Sequence, residues 1–246
     1  MSLFRKNTTT ATIAVPAPAG QGPAISLDKV PTGLVSLAKT AAVSLEKKGL
    51  TGQRAAVYLV LDHSGSMQPF YQDGSVQRLA EQALGLSVNL DDDGQVPLIY
   101  FESFVNQVGD VRLDSYQGVI NRTHSGARWG STDYARAIDY VTDLHHGNPL
   151  PGLVIFQTDG EPDSRREAET ALRDASREPL FFAFVGFGNH ISFLQKLDNL
   201  RGRTIDNASF FHARDPHRVT DAQLYDGITH EYASWLTAAT AAGVLR

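Results

Sequence analysis

The chain has 246 residues, of which 42% are hydrophobic and 20% charged, and this suits one α/β domain with an extension. Its net charge of −5 comes from acids and bases mixed along the chain, so the composition does not favour binding to nucleic acid or to anionic lipid. The absence of cysteine excludes disulfides, thiolate metal ligands and thiol catalysis.

Residues 1–24 predict a flexible N-terminal arm, because they are rich in Thr, Ala, Pro and Gly and show no apolar periodicity. The basic residues near the start are not followed by an apolar core of about 7–15 residues, so we do not expect a signal peptide. No segment reaches the ~18 apolar residues that span a bilayer. We therefore expect a soluble cytoplasmic protein that does not insert into membranes.

Residues 25–50 predict an N-terminal extension built around a helix. Five apolar residues recur at helical spacing: Leu34, Leu37, Ala38, Ala41 and Leu45. Gly49 follows two lysines, which is typical of a helix end. The segments ISLDK, VSLAK and VSLEK at 25–29, 35–39 and 43–47 echo one another, but the unit is too short for a solenoid repeat.

From residue 51 to the end, the pattern alternates strands and helices. The predicted strands are 55–62, 96–103, 108–113, 152–158, 180–186 and 208–212, and the predicted helices are 75–90, 115–122, 132–145, 164–177, 191–200 and 220–241. Strands such as VYLVL and LFFAFVGF are apolar on both faces, which indicates a mostly parallel sheet covered on both sides. The fold class is therefore a three-layer, doubly wound α/β domain, with its ligand site at the carboxyl ends of the strands.

Polar residues follow two of these strands and open one helix. Asp62, Ser64 and Ser66 come after the first strand, Asp159 follows the strand at 152–158, and Thr132 lies in a glycine-bearing loop before a helix. In a parallel sheet these three loops meet at one edge. Hydroxyl and carboxylate oxygens suit a hard cation such as Mg²⁺, which takes six oxygens in near-octahedral array. With two carboxylates and three neutral hydroxyls, a bound cation can accept one more anionic oxygen, such as a partner's Asp or Glu carboxylate.

The pattern Asp62-x-Ser64-x-Ser66, with Thr132 and Asp159, resembles the metal-ion-dependent adhesion site of von Willebrand factor type A (VWA) domains. The resemblance implies that these five residues hold Mg²⁺ or Mn²⁺, with Ca²⁺ less favoured. It also implies a Rossmann-like, six-stranded sheet in the order 3-2-1-4-5-6, with one antiparallel edge strand. The site then lies between strands 1 and 4.

A closer resemblance covers most of the chain after residue 25. The stretches SGSMQPFYQDGSVQRLAEQAL, GSTDYARAI and LYDGITHEYASWLTAATAAGVL look like the TerF-like VWA proteins of bacterial tellurium and toxic-ion resistance (ter) clusters. This implies a VWA domain at 51–246 that acts in a resistance or stress response, with another ter-system protein as a candidate partner. One departure is Asp133, where Asn is more usual in this group; it adds negative charge beside Thr132.

Several residues near these loops allow two interpretations. A rim that binds a partner could include Phe70, Tyr71, Trp129, Asp133 and Glu161, but loop packing explains the aromatic residues and helix-start acids explain Glu161. His63 adjoins Asp62, and alternation along a strand predicts that it faces the opposite side, under a covering helix. We interpret Asp91–Asp93 as an acidic turn and His145-His146 as a solvated helix end.

The motifs of common enzymes are missing from the sequence. Ser64 and Ser66 lack the spacing of a nucleophile elbow, and the chain has neither a phosphate-binding P-loop nor an H-E-x-x-H zinc motif. A hydrolase that uses the same cation to orient water is the alternative, and so is a scaffold whose metal is purely structural. We predict that the protein is not an enzyme.

Overall fold

The computed structural model describes residues 22–126 and 128–245. Most of the predicted arm at 1–24 lies outside these ranges. Six strands form one sheet: β1 Ala56–Asp62, β2 Gln95–Phe101, β3 Val105–Arg112, β4 Gly152–Thr158, β5 Leu180–Phe187 and β6 Ala208–Ala213. Their order is β3-β2-β1-β4-β5-β6, and β3 alone runs antiparallel to its neighbour. The predicted sheet is confirmed.

Helices cover both faces of this sheet. They are α1 Thr32–Lys47, α2 Gln68–Gln72, α3 Ser75–Leu90, α4 Val119–His124, α5 Tyr134–His145, α6 Arg165–Ala175, α7 Ser192–Asp198, α8 Asp221–Ile228 and α9 Tyr232–Ala241. Alternate residues of β1 enter two separate cores: Leu59 and Leu61 face the helices α1, α3, α8 and α9, whereas Tyr58 and Val60 face α5, α6 and α7. This is the predicted three-layer fold. No helix within the described ranges is long and apolar enough to cross a membrane.

The predicted N-terminal helix is an integral part of one core. Leu34 and Leu37 of α1 are 0% and 2% exposed. Gly85 of α3 permits the close approach of the two helices, since a Cβ there would come within 2.6 Å of the Leu37 Cβ. α1 therefore packs against α3 in the core on one face of the sheet, although it precedes the first strand by several residues.

The predicted final helix, 220–241, is wrong as a single element: the structure has two helices, α8 and α9, with a break at 229–231. α8 begins with a capping box in which Thr220 and Gln223 bond each other's backbone. Tyr225 of α8 donates its hydroxyl to the Gln82 carbonyl, whereas Trp235 of α9 packs against Phe181. Burying these two aromatic groups in different places requires the chain to turn between them.

The interpretation of His145 as solvated is also wrong. Its ring is only 1% exposed, because the end of α5 packs onto the sheet. Nδ1 of His145 lies 3.0 Å from the Tyr58 hydroxyl. Tyr58 belongs to the first half of β1, so this pair lies toward the amino end of the strand, away from the predicted ligand site.

Candidate metal centre

The last residues of β1 and β4 lie side by side and are joined through their side chains. The strands pair up to Leu61 and Gln157, so Asp62 and Thr158 follow as neighbours. One carboxylate oxygen of Asp62 accepts from the Thr158 hydroxyl at 2.6 Å, and the other accepts from the Ser64 amide at 2.7 Å. Asp62 is completely buried. The carboxylate is thereby fixed at the sheet edge.

The two serines extend this network to the second predicted acid. The hydroxyls of Ser64 and Ser66 are 3.2 Å apart, and Ser66 donates to Asp159 Oδ1 at 2.8 Å. Neighbouring ligands of an octahedral Mg²⁺ at 2.0–2.1 Å are about 2.9 Å apart. The oxygen spacing and the oxygen-only donor set therefore fit this cation. The described residues contain no cluster of three His, Cys, Asp or Glu that could hold a metal, so a cation at this site would need hydroxyl ligands as well.

The loop that carries Thr132 lies against the serine loop through its backbone. Ser64 and Gly130 form a parallel β-bridge, and the Gly65 amide donates to the Gly130 carbonyl at 3.3 Å. The Thr132 amide donates to Asp163 at 3.1 Å. Within the described part of the chain, no hydrogen bond joins the Thr132 hydroxyl to the other four predicted ligands. Its position therefore depends on the backbone of the loop.

Gly130 also lies close to the residues that follow β2. A Cβ at Gly130 would lie 2.9 Å from both the Ser103 hydroxyl oxygen and Cδ of Glu102. The loop is also held to the end of β2, because the Asp133 amide donates to the Glu102 carbonyl at 3.1 Å and the Ser131 amide to the Ser103 hydroxyl at 3.2 Å. Close packing thus brings the Thr132 loop to the edge that Ser64 and Ser66 occupy.

Burial disfavours the charged forms of both predicted acids. It raises the pKa of Asp62 to about 7, although hydrogen bonds from Thr158 and Ser64 act in the opposite direction. Burial also raises the pKa of Asp159, and the Ser66 hydroxyl partly opposes this. Neither carboxylate forms an ion pair with a lysine or arginine among the described residues. A divalent cation bound between them would supply the missing positive charge.

His63 faces away from Asp62, as strand alternation predicts. Its ring is fully buried and stacks on Trp129, with centroids 3.9 Å apart and planes inclined by 7°. Nδ1 of His63 donates to the Arg128 carbonyl at 2.7 Å. Burial lowers the pKa of this imidazole. His63 is therefore a neutral packing group on the other side of the sheet and not a ligand beside Asp62.

Tyr71 does not belong to the predicted rim, and the other two aromatic residues of that rim contact neighbouring rings. Tyr71 is 3% exposed and donates its hydroxyl to the Asp62 carbonyl at 3.0 Å, so it offers no surface to a partner. Phe70 is half-buried against Phe187 at a centroid distance of 5.2 Å. Trp129 is half-buried on His63. A rim role for Phe70 and Trp129 stays a prediction.

The two acidic residues of the predicted rim bond to nearby helices. Asp133 caps α5, accepting from the Arg136 amide at 3.0 Å, and it also pairs with the Arg136 guanidinium at 3.1 Å. Glu161 accepts from the Ser192 hydroxyl at 2.9 Å and pairs with Arg165 at 2.9 Å. Both acids are partly neutralised, which reduces the repulsion that an acidic partner would meet.

Three residues that support the site were not predicted as site residues. Thr158 bonds Asp62, and Asp163 bonds the Thr132 amide. Tyr134, at the start of α5, lies with its hydroxyl 3.1 Å from the Thr158 oxygen. A hydroxyl directly before Asp159, at the end of a mostly apolar strand, was a signal for Thr158. Tyr134 carried no signal, because its role depends on where α5 packs.

Comparisons with known proteins agree with this architecture. Residues 54–245 match the family model described as the vWA found in the TerF C terminus. The uncharacterized protein YcbR of Bacillus subtilis is 32% identical over 218 residues, which cover 85% of this chain and 88% of that protein.

Solved structures that are similar in fold include the following two. A von Willebrand factor type A protein from Catenulispora acidiphila superposes with a TM-score of 0.56 at 18% identity, covering 74% of this chain but only 43% of that one. The manganese-loaded TRAP protein of Plasmodium vivax superposes with a TM-score of 0.51 at 19% identity, covering 72% of each chain. At these identities the likeness concerns the fold alone. The family match, which spans most of the chain, shows that this protein belongs to the TerF-like group of VWA domains.

Proposed function

We propose that the protein binds a divalent cation, Mg²⁺ or Mn²⁺, through Asp62, Ser64, Ser66, Thr132 and Asp159. The observation that carries the proposal is the continuous set of hydrogen bonds from Thr158 through Asp62, Ser64 and Ser66 to Asp159. It links side chains of two separate segments, 62–66 and 158–159, and the spacing of their oxygens suits octahedral coordination. The manganese reported for the TRAP structure supports the choice of cation.

The bound cation serves to recruit a protein. Three of the five ligands are neutral hydroxyls, so a divalent ion there retains affinity for one more anionic oxygen. Ser66 is exposed and Asp159 half-buried, which leaves the site open on the solvent side. An Asp or Glu carboxylate of a partner is the expected sixth group. Residues beside the site then add contacts that select the partner.

We infer that this recruitment belongs to a tellurium or toxic-ion resistance system, or to a related stress response, because the domain is TerF-like. The partner is then another protein of the ter system. Reduction of tellurite by this chain is not part of the proposal, because the sequence has no cysteine to supply thiols. We also propose that the protein is not an enzyme. His63, the histidine nearest to Asp62 in sequence, is engaged on the other face and is not placed to act as a base.

Calorimetric titration of Mg²⁺ and Mn²⁺ into the chain, followed by a pull-down with and without EDTA, tests the proposal. Ser66→Ala should abolish cation binding and leave the circular dichroism unchanged, and EDTA should release the partner. Ser234→Ala, which alters a serine on α9, is the control. Unchanged cation binding in Ser66→Ala would refute the proposed site. A complex that resists EDTA would refute recruitment through the cation. Phosphatase or esterase turnover that depends on Asp159 would favour a hydrolase instead.

A further inference from the structure

His63 lies at the centre of a buried group of rings on the sheet face opposite to Asp62. Trp129 stacks on it at 3.9 Å, and Tyr71 meets its ring edge-on at 5.0 Å. The rings of Tyr100 and His124 have centroids 5.3 and 5.8 Å away. These rings come from different parts of the chain, so they hold His63 from several sides. The imidazole has little freedom to move.

Three hydrogen bonds join the segment 63–65 to the segment 128–130. His63 Nδ1 donates to the Arg128 carbonyl at 2.7 Å, and the Gly130 amide donates to the His63 carbonyl at 3.3 Å. The Gly65 amide then donates to the Gly130 carbonyl at 3.3 Å. The first segment contains Ser64, and the second ends two residues before Thr132. This short ladder therefore sets how the two ligand loops lie relative to each other.

We propose that His63 and Trp129 are positioning residues for the cation site, and this rests on the proposed cation binding. We call this pair, with the Arg128 carbonyl, the His63 clamp. It holds the Thr132 loop in register with Ser64 and Ser66. The clamp is needed because the Thr132 hydroxyl has no hydrogen bond to the other predicted ligands within the described residues. Mg²⁺ demands near-ideal octahedral geometry, so a loop displaced by about 1 Å would lose its ligand.

Two substitutions at His63 separate the hydrogen bond from the ring contact. His63→Asn retains an N–H donor close to the place of Nδ1 but removes the stacked ring. His63→Phe retains a ring and removes the donor. Because the hydrogen bond fixes the register of the ladder, the asparagine variant should rescue cation binding and the phenylalanine variant should not. A residue that only fills space would show the reverse order.

His145 provides a matched control. It is also buried, at 1% exposure, and its Nδ1 is also hydrogen-bonded, to the Tyr58 hydroxyl at 3.0 Å. Its ring meets Tyr58 edge-on at 5.6 Å. The pair lies toward the other end of β1 and touches neither ligand loop. His145→Phe should therefore lower the stability of the fold without changing cation affinity selectively.

Calorimetric titration of Mn²⁺ into each folded full-length variant tests the clamp. Changes behind the direct ligands of a metal site typically weaken affinity by about 10–100-fold, so we expect at least a tenfold loss in His63→Phe. Trp129→Ala should cause a smaller loss, within about threefold, because it removes the ring contact and leaves the hydrogen bonds of the ladder. His63→Asn should stay within about threefold of the parent chain and His145→Phe within about twofold, since neither change breaks the ladder. Affinity in His63→Phe within twofold of the parent would overturn the proposal. If His63→Phe does not fold, His63→Leu, which also removes the Nδ1 donor, takes its place.

A second measurement in EDTA does not depend on cation binding. Hydrogen exchange at the Gly130 and Thr132 amides should be faster in His63→Phe than in the parent chain and unchanged in His145→Phe. If the parent chain binds no Mn²⁺, the proposed function fails and the exchange data alone decide whether the clamp positions the loop. Unchanged exchange at both amides in His63→Phe would show that the loop is held by other contacts, and the clamp would be rejected.

Discussion

Each end of β1 lies beside an acid with a raised pKa and a buried imidazole, but the two ends arrange these groups differently. At the carboxyl end, burial raises the pKa of Asp62 to about 7, and hydroxyls from Thr158 and Ser66 reach the two predicted acids. At the amino end, burial raises the pKa of Asp91 to about 6, and the charge of Asp93 in the same turn adds to the shift. Asp91 follows Leu90, whose carbonyl accepts from the Ala55 amide at 3.0 Å.

The two ends differ in whether their polar groups come from separate parts of the chain. The oxygens at the carboxyl end come from two segments that are distant in sequence, 62–66 and 158–159, and hydrogen bonds connect them. The backbone of a third segment, which carries Thr132, lies against the first. The acids at the amino end come from one turn, and backbone amides of Asp92 and Asp93 oppose the shift at Asp91. A raised pKa occurs at both ends, so it does not identify a functional site by itself. The proposed site rests instead on the meeting of separate loops.

The largest expected effect is the loss of cation affinity in Asp62→Asn. The substitution keeps the shape of the side chain and removes its charge, so we expect at least a hundredfold weaker Mg²⁺ binding, about 2.7 kcal/mol. Stability in EDTA should stay equal or rise, because a buried carboxylate is replaced by a neutral amide. Calorimetry and urea unfolding measure the two effects. Asp133→Asn, beside Thr132, is the control and should change affinity less than about threefold. Equal affinity losses in both variants would contradict a specific role for Asp62.

Thr158→Val should give the next largest effect, this time on stability. The valine leaves one oxygen of the buried Asp62 without its hydroxyl donor, which costs about 1–3 kcal/mol. Urea unfolding in EDTA measures it. Thr142→Val is the matched control, because the Thr142 hydroxyl donates only to the Ile138 carbonyl of its own helix. That change should cost less than about 0.5 kcal/mol. If the two losses are the same, Thr158 does not support Asp62.

Much of the fold was predictable because apolar patterning is strong in this chain. The strand at 152–158 and the helix at 75–90 have the predicted bounds, since uninterrupted apolar runs and clear helical periodicity mark them. The final helix was predicted as one element because the break at 229–231 depends on where Tyr225 and Trp235 are buried. Local sequence carries no record of that tertiary contact.

Part of the site was also predictable from the sequence and part was not. Asp62, Ser64 and Ser66 are close in sequence and follow a strand, so their grouping was predictable from strand geometry. Exposure of Tyr71 was predicted wrongly, because its hydroxyl turns inward to the Asp62 carbonyl. The burial of His145 was missed for a similar reason, since a helix end that packs on the sheet looks the same in sequence as one in solvent.

A smaller effect should appear at the amino end as a dependence of stability on pH. The folded-state pKa of Asp91, about 6, lies above its ordinary value of 3.8, so the folded chain retains a proton that the unfolded chain loses. Stability should therefore fall as pH rises from 3.8 through about 6 and then level off. Asp91→Asn should remove this part of the decline. Because Asp91 is partly exposed, we expect a gain of about 1 kcal/mol at pH 8 and none below pH 4. Unfolding of the parent chain and of Asp91→Asn at several pH values between 3.8 and about 8 tests this prediction. If the stabilities of the two chains depend on pH in the same way, Asp91 is not the group responsible.

The smallest effect should come from Tyr58→Phe, which removes only the hydroxyl bonded to His145. A buried hydrogen bond of this kind contributes about 0.5–1.5 kcal/mol, so urea unfolding should show a loss of that size. Mg²⁺ affinity should stay within about twofold, because nothing in the Tyr58–His145 pair touches the ligand loops.

Tyr71→Phe is the counterpart at the carboxyl end: it removes a similar hydroxyl, the one that bonds the Asp62 carbonyl. If the ends of β1 differ as argued, Tyr71→Phe weakens cation binding and Tyr58→Phe does not. The same response in both variants would mean that affinity follows overall stability and not the local geometry of the ligand loops.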